Sequence, residues 1–258
     1  MKEVQLHHAI ECHRKDGVLN VHFHASAHAR KQPARIADEL EELGGKIAGD
    51  EEIRVVLFTG ISGYLSIEPF WDEPPGEARS GFPSRTLAAP VAKLDRPVIA
   101  AILGDAIGLG LELALACDLR IAGTNSRFGL PHIRKGWIPW DGGTQRLSRL
   151  VGRAKALEMI LDGQKISARE ALRIGLVNKI VMPQQVIETA TALASKMAER
   201  GPIALRFAKE AVNQGMELTL SQGLRLEADL YFLLQTTRDR VEGIRAFQEK
   251  RPARFVGK

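Results

Sequence analysis

Glu112 is the residue of this sequence best suited to acid–base chemistry, because it is the one charged residue in the apolar run from Leu111 to Ala116. A carboxyl group surrounded by aliphatic side chains is desolvated, and desolvation raises its pKa toward the range that a general acid or base needs. The same residue could instead be an exposed glutamate, stabilised by the dipole of a first helical turn. The local pattern leaves both interpretations open.

The residues before Glu112 could stabilise negative charge on a substrate. Gly104, Gly108 and Gly110 allow the backbone to turn tightly and to approach a ligand closely. They lead into a helix predicted over residues 109–117, whose first N–H groups lack intrahelical acceptors and carry partial positive charge. Such groups are suited to hold an oxyanion that develops in a transition state.

Two more titratable candidates, His132 and Asp141, lie in an irregular segment rich in proline, glycine and tryptophan. Irregular segments of this kind often carry function. An imidazole transfers protons near neutral pH, although a single histidine is more often structural. Asp141 precedes Gly142 and Gly143, a context equally typical of a turn or a helix cap.

Short apolar segments alternating with helical ones must position these residues. Period-two patterns and buried runs predict strands over residues 17–24, 54–60, 96–104, 118–123 and 175–181. Helical spacing predicts a helix over residues 33–47, broken at Gly44-Gly45, and a capping box predicts another that begins at Ser167 with Glu170 as its partner. A mixed α/β core is therefore expected.

After Pro183 the chain is expected to be almost wholly helical. One helix is predicted over residues 184–199, and Pro202 suits the first turn of the next. The stretch 224–234 is rich enough in leucine to predict a helix buried on more than one face.

Composition and charge exclude several classes of protein. The 258 residues suffice for one large domain, and no apolar run approaches the roughly 20 residues that span a bilayer. The net charge of +5 is scattered, which argues against a nucleic-acid partner and favours a phosphate-bearing small molecule. The N-terminus lacks the apolar segment of a signal peptide, which predicts a cytoplasmic protein. No metal motif or nucleotide-cofactor motif is present, and the two cysteines have no metal or redox spacing.

Four ordered segments resemble the crotonase (enoyl-CoA hydratase/isomerase) superfamily. They are IAAILGDAIGLGLELALACDLRIAG, RFGLPHIRKGWIPWDGGTQRLSRLVG, ILDGQKISAREALRIGLVNKIV and the C-terminal FQEKRPARF. The resemblance implies a crotonase-like spiral of ββα repeats over residues 1–200. It also implies a helical C-terminal region, residues 201–258, that serves oligomerisation and completes the CoA site. Trimers or dimers of trimers are expected.

The resemblance also implies an activity and roles for individual residues. It implies an enzyme that stabilises the enolate of an acyl-CoA thioester, most like a hydratase that adds water to an α,β-unsaturated acyl-CoA, or an isomerase. No cofactor is expected, because CoA is part of the substrate. Glu112 matches the first catalytic glutamate, and the amide of Leu109 matches one donor of the oxyanion hole. Lys250 matches a residue that contacts CoA phosphate, Phe247 lies beside it, and Arg30 is a further candidate for a phosphate.

One departure from the family pattern concerns the second catalytic glutamate, whose position is occupied by His132. Asp141 is a candidate for the missing carboxylate. A histidine oriented by a following aspartate also resembles the family's β-diketone hydrolases, so hydrolysis of a β-diketone or thioester is an alternative. A catalytically impaired homologue that only binds CoA or assembles with partners is a third reading.

A second departure concerns the first oxyanion loop. Pro69 occupies the position expected of the donor amide and has no N–H. Either Ile67, Glu68 or Phe70 donates instead, or the oxyanion hole is incomplete. Large apolar side chains near this loop and in the later irregular segment are candidates for the wall of the substrate pocket, or alternatively for the core or an interface: Leu65, Phe70, Trp71, Trp137 and Trp140.

Overall fold

A computed structural model describes residues 10–24, 33–61 and 86–258. Several predicted site residues lie outside this range, and their predictions are not addressed by the structure: Arg30, Leu65, Ile67, Glu68, Pro69, Phe70 and Trp71.

The strands within the described residues form two sheets. Their bounds are Ile10–Lys15 (β1), Val18–Phe23 (β2), Val55–Thr59 (β3), Val98–Ile102 (β4), Ala106–Ile107 (β5), Leu119–Gly123 (β6), Arg127–Gly129 (β7), Ile166–Ser167 (β8) and Lys179–Val181 (β9). Six of these strands make one sheet in the order β1-β2-β3-β4-β6-β9, in which only the β1–β2 pair is antiparallel. The other three make a small sheet in the order β5-β7-β8.

Helices follow the strands and then form the C-terminal region. In the described part of the chain they are Pro33–Gly49 (α1), Ala88–Ala92 (α2), Leu109–Ala116 (α3), Gly143–Val151 (α4), Arg153–Asp162 (α5), Ala168–Arg173 (α6), Val186–Ala198 (α7), Pro202–Gly215 (α8), Leu220–Gln235 (α9) and Arg238–Gln248 (α10), with short 3-10 turns at Pro131–Lys135 and Pro183–Gln185.

The large sheet is buried on both faces, as the apolar runs predicted. In β3, Val56 and Phe58 face the main core while Val55 and Leu57 face the second core, because successive strand residues point to opposite sides. The second core is closed by α7. This helix lays Ala190, Ala194 and Ala198 against the sheet, and the small side chains allow close packing.

Two sequence predictions about helix ends are confirmed, one only in part. Pro202 is the first residue of α8. Ser167 caps α6 by accepting a hydrogen bond from the Glu170 N–H at 3.2 Å. The Glu170 carboxylate, however, pairs with Arg173 and Lys155, so it does not complete the expected capping box.

The predicted break at Gly44-Gly45 is wrong, because α1 runs through both glycines. Glycine in a helix interior costs only about 1 kcal/mol relative to alanine. Burial of Ile36, Leu40 and Ile47 along one side of α1 outweighs that cost.

The prediction that residues 224–234 are buried on more than one face is also wrong. In α9, Leu230 is buried, whereas Leu224, Phe232 and Leu233 are exposed. The helix packs against α8 and leaves its other side uncovered. The strand predicted over residues 175–181 is confined to β9, which begins at Lys179. No helix in the described ranges is long and apolar enough to cross a membrane.

Candidate active site

Pairing between β5 and β7 brings Glu112 and His132 together. The two strands run parallel with Ile107 opposite Gly129, and the Gly108 N–H extends the ladder by donating to the Gly129 carbonyl at 3.0 Å. From this register, α3 carries Glu112 in its first turn, while the chain after β7 enters the 3-10 turn that carries His132. Two residues 20 positions apart in sequence thereby become neighbours.

Glu112 is wholly buried, with 0% of its surface exposed, and the other residues of α3 are buried as well. Its Oε1 accepts hydrogen bonds from the backbone N–H groups of Asp141 at 2.8 Å and Gly143 at 3.0 Å. Its Oε2 has no hydrogen-bond partner among the described residues. One oxygen is therefore fixed, and the other is available to a reacting group.

Gly143 is required by this arrangement. A Cβ atom at position 143 would lie 2.8 Å from Glu112 Oε1 and 2.7 Å from the Pro139 Cβ, closer than atoms in van der Waals contact. Gly143 was not among the functional residues predicted from the sequence, although two consecutive glycines before a helix could have indicated a close approach of this kind.

Burial raises the pKa of Glu112 from 4.5 to about 7. The negative charge of Asp141 acts in the same direction, while the two backbone hydrogen bonds and Arg146 oppose it. Near neutral pH the carboxyl group therefore populates both its protonated and its ionised form, as acid–base catalysis requires.

His132 has 4% of its surface exposed, and its Nε2 lies 3.7 Å from Glu112 Oε2. Burial lowers the pKa of the imidazole, although a hydrogen bond to the Leu130 backbone partly offsets this effect. The separation is longer than a direct hydrogen bond, and one water molecule could contact both atoms. Near neutral pH the states populated by the two groups therefore include a carboxylic acid beside a neutral imidazole.

Asp141 is buried next to Glu112, but its carboxylate points to another element. Its Oδ2 accepts hydrogen bonds from the N–H groups of Leu87 at 2.7 Å and Ala88 at 2.9 Å, at the start of α2. Asp141 does not cap the helix that follows it, because the N-cap of α4 is Gly142 without a side-chain hydrogen bond. Its carboxylate instead binds the start of a helix more than 50 residues earlier in the chain. The carboxylate within ion-pair distance of His132 is that of Glu112.

Leu109, the predicted oxyanion donor, is the first residue of α3, and its side chain is buried. The preceding Gly108 has φ 59° and ψ −126°, a conformation that residues with a side chain rarely adopt. The N–H of a first helical residue has no intrahelical acceptor. The backbone at Leu109 can therefore donate to a ligand.

The other predicted site residues are more dispersed. Trp140 packs against the main core, whereas 52% of Trp137 is exposed. Phe247, near the end of α10, is 86% exposed, and Lys250 follows that helix with a φ of 52°. No described contact joins either of these C-terminal residues to Glu112. Within the same described ranges, no three metal-ligating side chains are grouped as a metal site.

The buried carboxyl group makes stability depend on pH. We expect the free energy of unfolding of the wild type, relative to Glu112→Gln, to decrease by about 2 to 3 kcal/mol as pH rises from 5 to 8. The folded-state pKa of Glu112, about 7, exceeds the unfolded value of 4.5. Its contribution is therefore fully present below 4.5 and is lost as pH rises through 7, whereas glutamine does not ionise. Urea denaturation of both proteins across this range checks the prediction, and parallel stability curves would contradict it.

Comparisons with known proteins give a consistent result. A family model described as enoyl-CoA hydratase/isomerase matches residues 13–258. The short-chain-enoyl-CoA hydratase of Clostridium acetobutylicum is 39% identical over 83% of this chain and 84% of its own length. The 2,3-dehydroadipyl-CoA hydratase of Escherichia coli is 47% identical over 67% of this chain and 68% of its own. Two further relatives, from Arabidopsis thaliana and Bacillus subtilis, are 48% and 50% identical, and the chain spans 56% and 65% of their lengths.

Solved structures extend the similarity over nearly the whole chain. The crystal structure of an enoyl-CoA hydratase from Bacillus anthracis is 34% identical and has a TM-score of 0.86, covering 97% of this chain and 100% of that one. A structure from Geobacillus kaustophilus is 30% identical with a TM-score of 0.85 and covers 99% of each chain. The crotonase-like architecture, with its helical C-terminal region, is thereby confirmed.

Proposed function

The chain belongs to the enoyl-CoA hydratase/isomerase family, and from that premise we propose that it adds water to an α,β-unsaturated acyl-CoA thioester. The proposal rests mainly on the buried pair of Glu112, in the first turn of α3, and His132, whose Nε2 lies 3.7 Å from Glu112 Oε2. The relatives of the chain include a short-chain-enoyl-CoA hydratase and a crotonyl-CoA hydratase, and these names support an enoyl-CoA substrate.

The pair can add water when Glu112 carries a proton on Oε2 and His132 is neutral. Neutral His132, with its proton on Nδ1, accepts a proton from water at Nε2 as the water oxygen bonds to the β-carbon of the substrate. The electron pair of the double bond moves toward the thioester, whose oxygen becomes an enolate that the Leu109 N–H stabilises. Collapse of the enolate forms the bond between the α-carbon and the proton of Glu112 Oε2.

The products of this step are an imidazolium and a carboxylate side by side. Transfer of the proton from His132 back to Glu112, across the 3.7 Å separation or through a water molecule, restores the starting state. Atoms balance as substrate plus one water. The histidine thus replaces the second glutamate without placing two negative charges in one buried site, which burial would oppose.

The decisive test is a turnover screen with purified protein. Crotonyl-CoA, longer and branched enoyl-CoA thioesters and several cyclic β-diketones are incubated separately, and the products are analysed by mass. Gain of one water by an enoyl-CoA supports the proposal. Folded protein that hydrates none of the thioesters contradicts it, and cleavage of a diketone would favour the hydrolase alternative. That alternative requires Asp141 to orient His132, whereas Asp141 caps α2.

We also propose that the C-terminal helices join copies of this chain into a trimer or a dimer of trimers. The uncovered side of α8 and α9 carries large apolar side chains that are exposed in the single chain, and such exposed apolar patches often mark a protein–protein interface. These side chains are Val212, Met216, Leu220, Leu224, Tyr231 and Phe232. A cytoplasmic location and the contacts of Lys250, Phe247 and Arg30 with CoA stay predictions.

Charge introduced on this apolar side is expected to dissociate the assembly. The double variant Leu220→Glu/Phe232→Glu should sediment as a monomer, because two buried carboxylates without partners would oppose association. Both positions are exposed within one chain, so folding should be preserved. Leu161→Glu, at an exposed position on α5, is the matched control and should keep the assembly of the wild type. A wild-type protein that is itself monomeric would contradict the proposal.

A further inference from the structure

We propose that Asp141 is a positioning residue, which joins the catalytic glutamate to the start of α2 and fixes the orientation of its carboxyl group, so that one carboxyl oxygen faces His132. The inference deepens the proposed function and depends on it for the identity of the reaction. The family resemblance assigned Asp141 no such role, since it was expected either to supply the missing carboxylate or to orient His132.

Asp141 uses its backbone and its side chain on different partners. Its N–H donates to Glu112 Oε1 at 2.8 Å, while its Oδ2 accepts the N–H groups of Leu87 and Ala88. Its carbonyl oxygen accepts a hydrogen bond from Arg146 Nη1 at 2.9 Å. One residue therefore connects α2, α3 and the start of α4.

The connection explains how the Glu112 carboxyl group keeps one oxygen directed toward His132. Because Asp141 and Gly143 both donate to Oε1, rotation of the carboxyl group would break two short hydrogen bonds in a buried site. Oε2 is consequently held toward His132. The bonds from Leu87 and Ala88 prevent Asp141 from shifting, so the position of Glu112 depends on a carboxylate that does not touch it.

The same contacts argue against a proton-transfer role for the Asp141 carboxylate. It is 3% exposed, and its Oδ2 already accepts two backbone N–H groups. Burial raises the pKa of Asp141, while the hydrogen bonds from the Ala88 and Leu87 backbone act in the opposite direction. Protonation of the carboxylate would weaken both of these bonds.

Removal of the charge provides a readout that a purely structural residue would not give. Among the described residues, the charged or titratable groups that act on Glu112 are Asp141, His132 and Arg146. The negative charge of Asp141 raises the pKa of Glu112. Asp141→Asn keeps an oxygen that can accept the N–H groups of α2 but removes that charge, and it should therefore shift the ionisation of Glu112 to lower pH.

Infrared difference spectra of each protein against its own Glu112→Gln derivative report this ionisation without any substrate. In Asp141→Asn we expect the carboxyl band of Glu112 to titrate at lower pH than in the wild type. Asp239→Asn is the matched control, because Asp239 also accepts two backbone N–H groups, those of Val256 and Gly257, and it should leave the titration unchanged. An unchanged titration in Asp141→Asn would overturn the proposal. Because this measurement needs no turnover, its failure is distinguishable from failure of the proposed reaction.

Kinetics with an enoyl-CoA then separate positioning from proton transfer. Asp141→Asn should lower kcat less than about 10-fold and move the alkaline limb of the kcat profile to lower pH. Asp141→Ala, which removes the connection, should lower kcat on the order of 100-fold with a small change in KM. A loss on the order of 1000-fold in Asp141→Asn with the pH limbs unmoved would indicate a proton-transferring residue and overturn the proposal.

Discussion

Glu112→Gln is expected to lower kcat for enoyl-CoA hydration on the order of 1000-fold while KM changes only a few-fold. The glutamine oxygen can still accept the N–H groups of Asp141 and Gly143, so the backbone around the site should be preserved. What is lost is the proton that Oε2 delivers to the α-carbon, and removal of a general acid typically costs 100- to 10,000-fold in rate. Steady-state kinetics on the substrate identified by the screen, with binding of a saturated acyl-CoA measured separately, check the prediction.

The pH dependence supplies a second check on the role of Glu112. Because the proposed step requires its protonated form, kcat should fall as pH rises through about 7. Glu39→Gln, which removes another buried glutamate on α1, is the control and should keep the wild-type profile. Turnover by Glu112→Gln within a few-fold of the wild type would show that another group delivers the proton. A wild-type rate that instead rises through this pH would assign Glu112 the role of base.

His132→Gln is expected to lower kcat about 100-fold and to remove the acidic limb of the pH profile. The proposed step needs a neutral imidazole, and burial already lowers the pKa of this ring. The wild-type rate should therefore decrease only at pH values below the ordinary histidine range of about 6.5, as the ring becomes protonated. Glutamine has a similar size and no titration in this range, so the limb should vanish. Rates from pH 5 to 8 provide the measurement.

His132→Glu tests whether the histidine replaces the second carboxylate of the family. It should recover part of the activity that His132→Gln loses, because a carboxylate can also accept the proton of water. Two buried carboxylates oppose each other's ionisation, so its activity should depend on pH differently from that of the wild type. If His132→Gln keeps the wild-type rate, water is activated without the imidazole. The Glu112 and His132 effects should not be additive, because the two groups act as one unit.

The sequence predicted elements best where one physical signal dominated. The runs that became β3 and β4 are apolar on both alternating faces, and only a strand covered on two sides buries both. Pro202 and Ser167 correctly predicted the starts of helices, because a proline suits the first helical turn and a serine side chain accepts a free N–H there. The predictions failed where a distant contact, or its absence, decided the outcome. Burial of one side of α1 carried the helix through Gly44-Gly45. In α9, Leu224 and Leu233 remain exposed among the described residues.

By itself, the sequence determined which residues could carry the chemistry. A lone glutamate in an apolar helix, after glycines that free the backbone, is a local pattern and can be read locally. The resemblance of ordered segments identified the fold and the replacement of the second glutamate by His132. Neither the local pattern nor the resemblance could determine how Glu112, His132 and Asp141 are related in space, because that depends on the register between β5 and β7.

Only the tertiary structure decided whether Glu112 was a surface residue or a buried acid. It placed the carboxyl group out of water, fixed Oε1 with two amides and left Oε2 facing an imidazole at 3.7 Å. It also showed that the Asp141 carboxylate accepts hydrogen bonds from the start of α2, more than 50 residues away in the chain. The physical reason is that desolvation and hydrogen bonding depend on which atoms surround a group, and those atoms come from segments far apart in sequence.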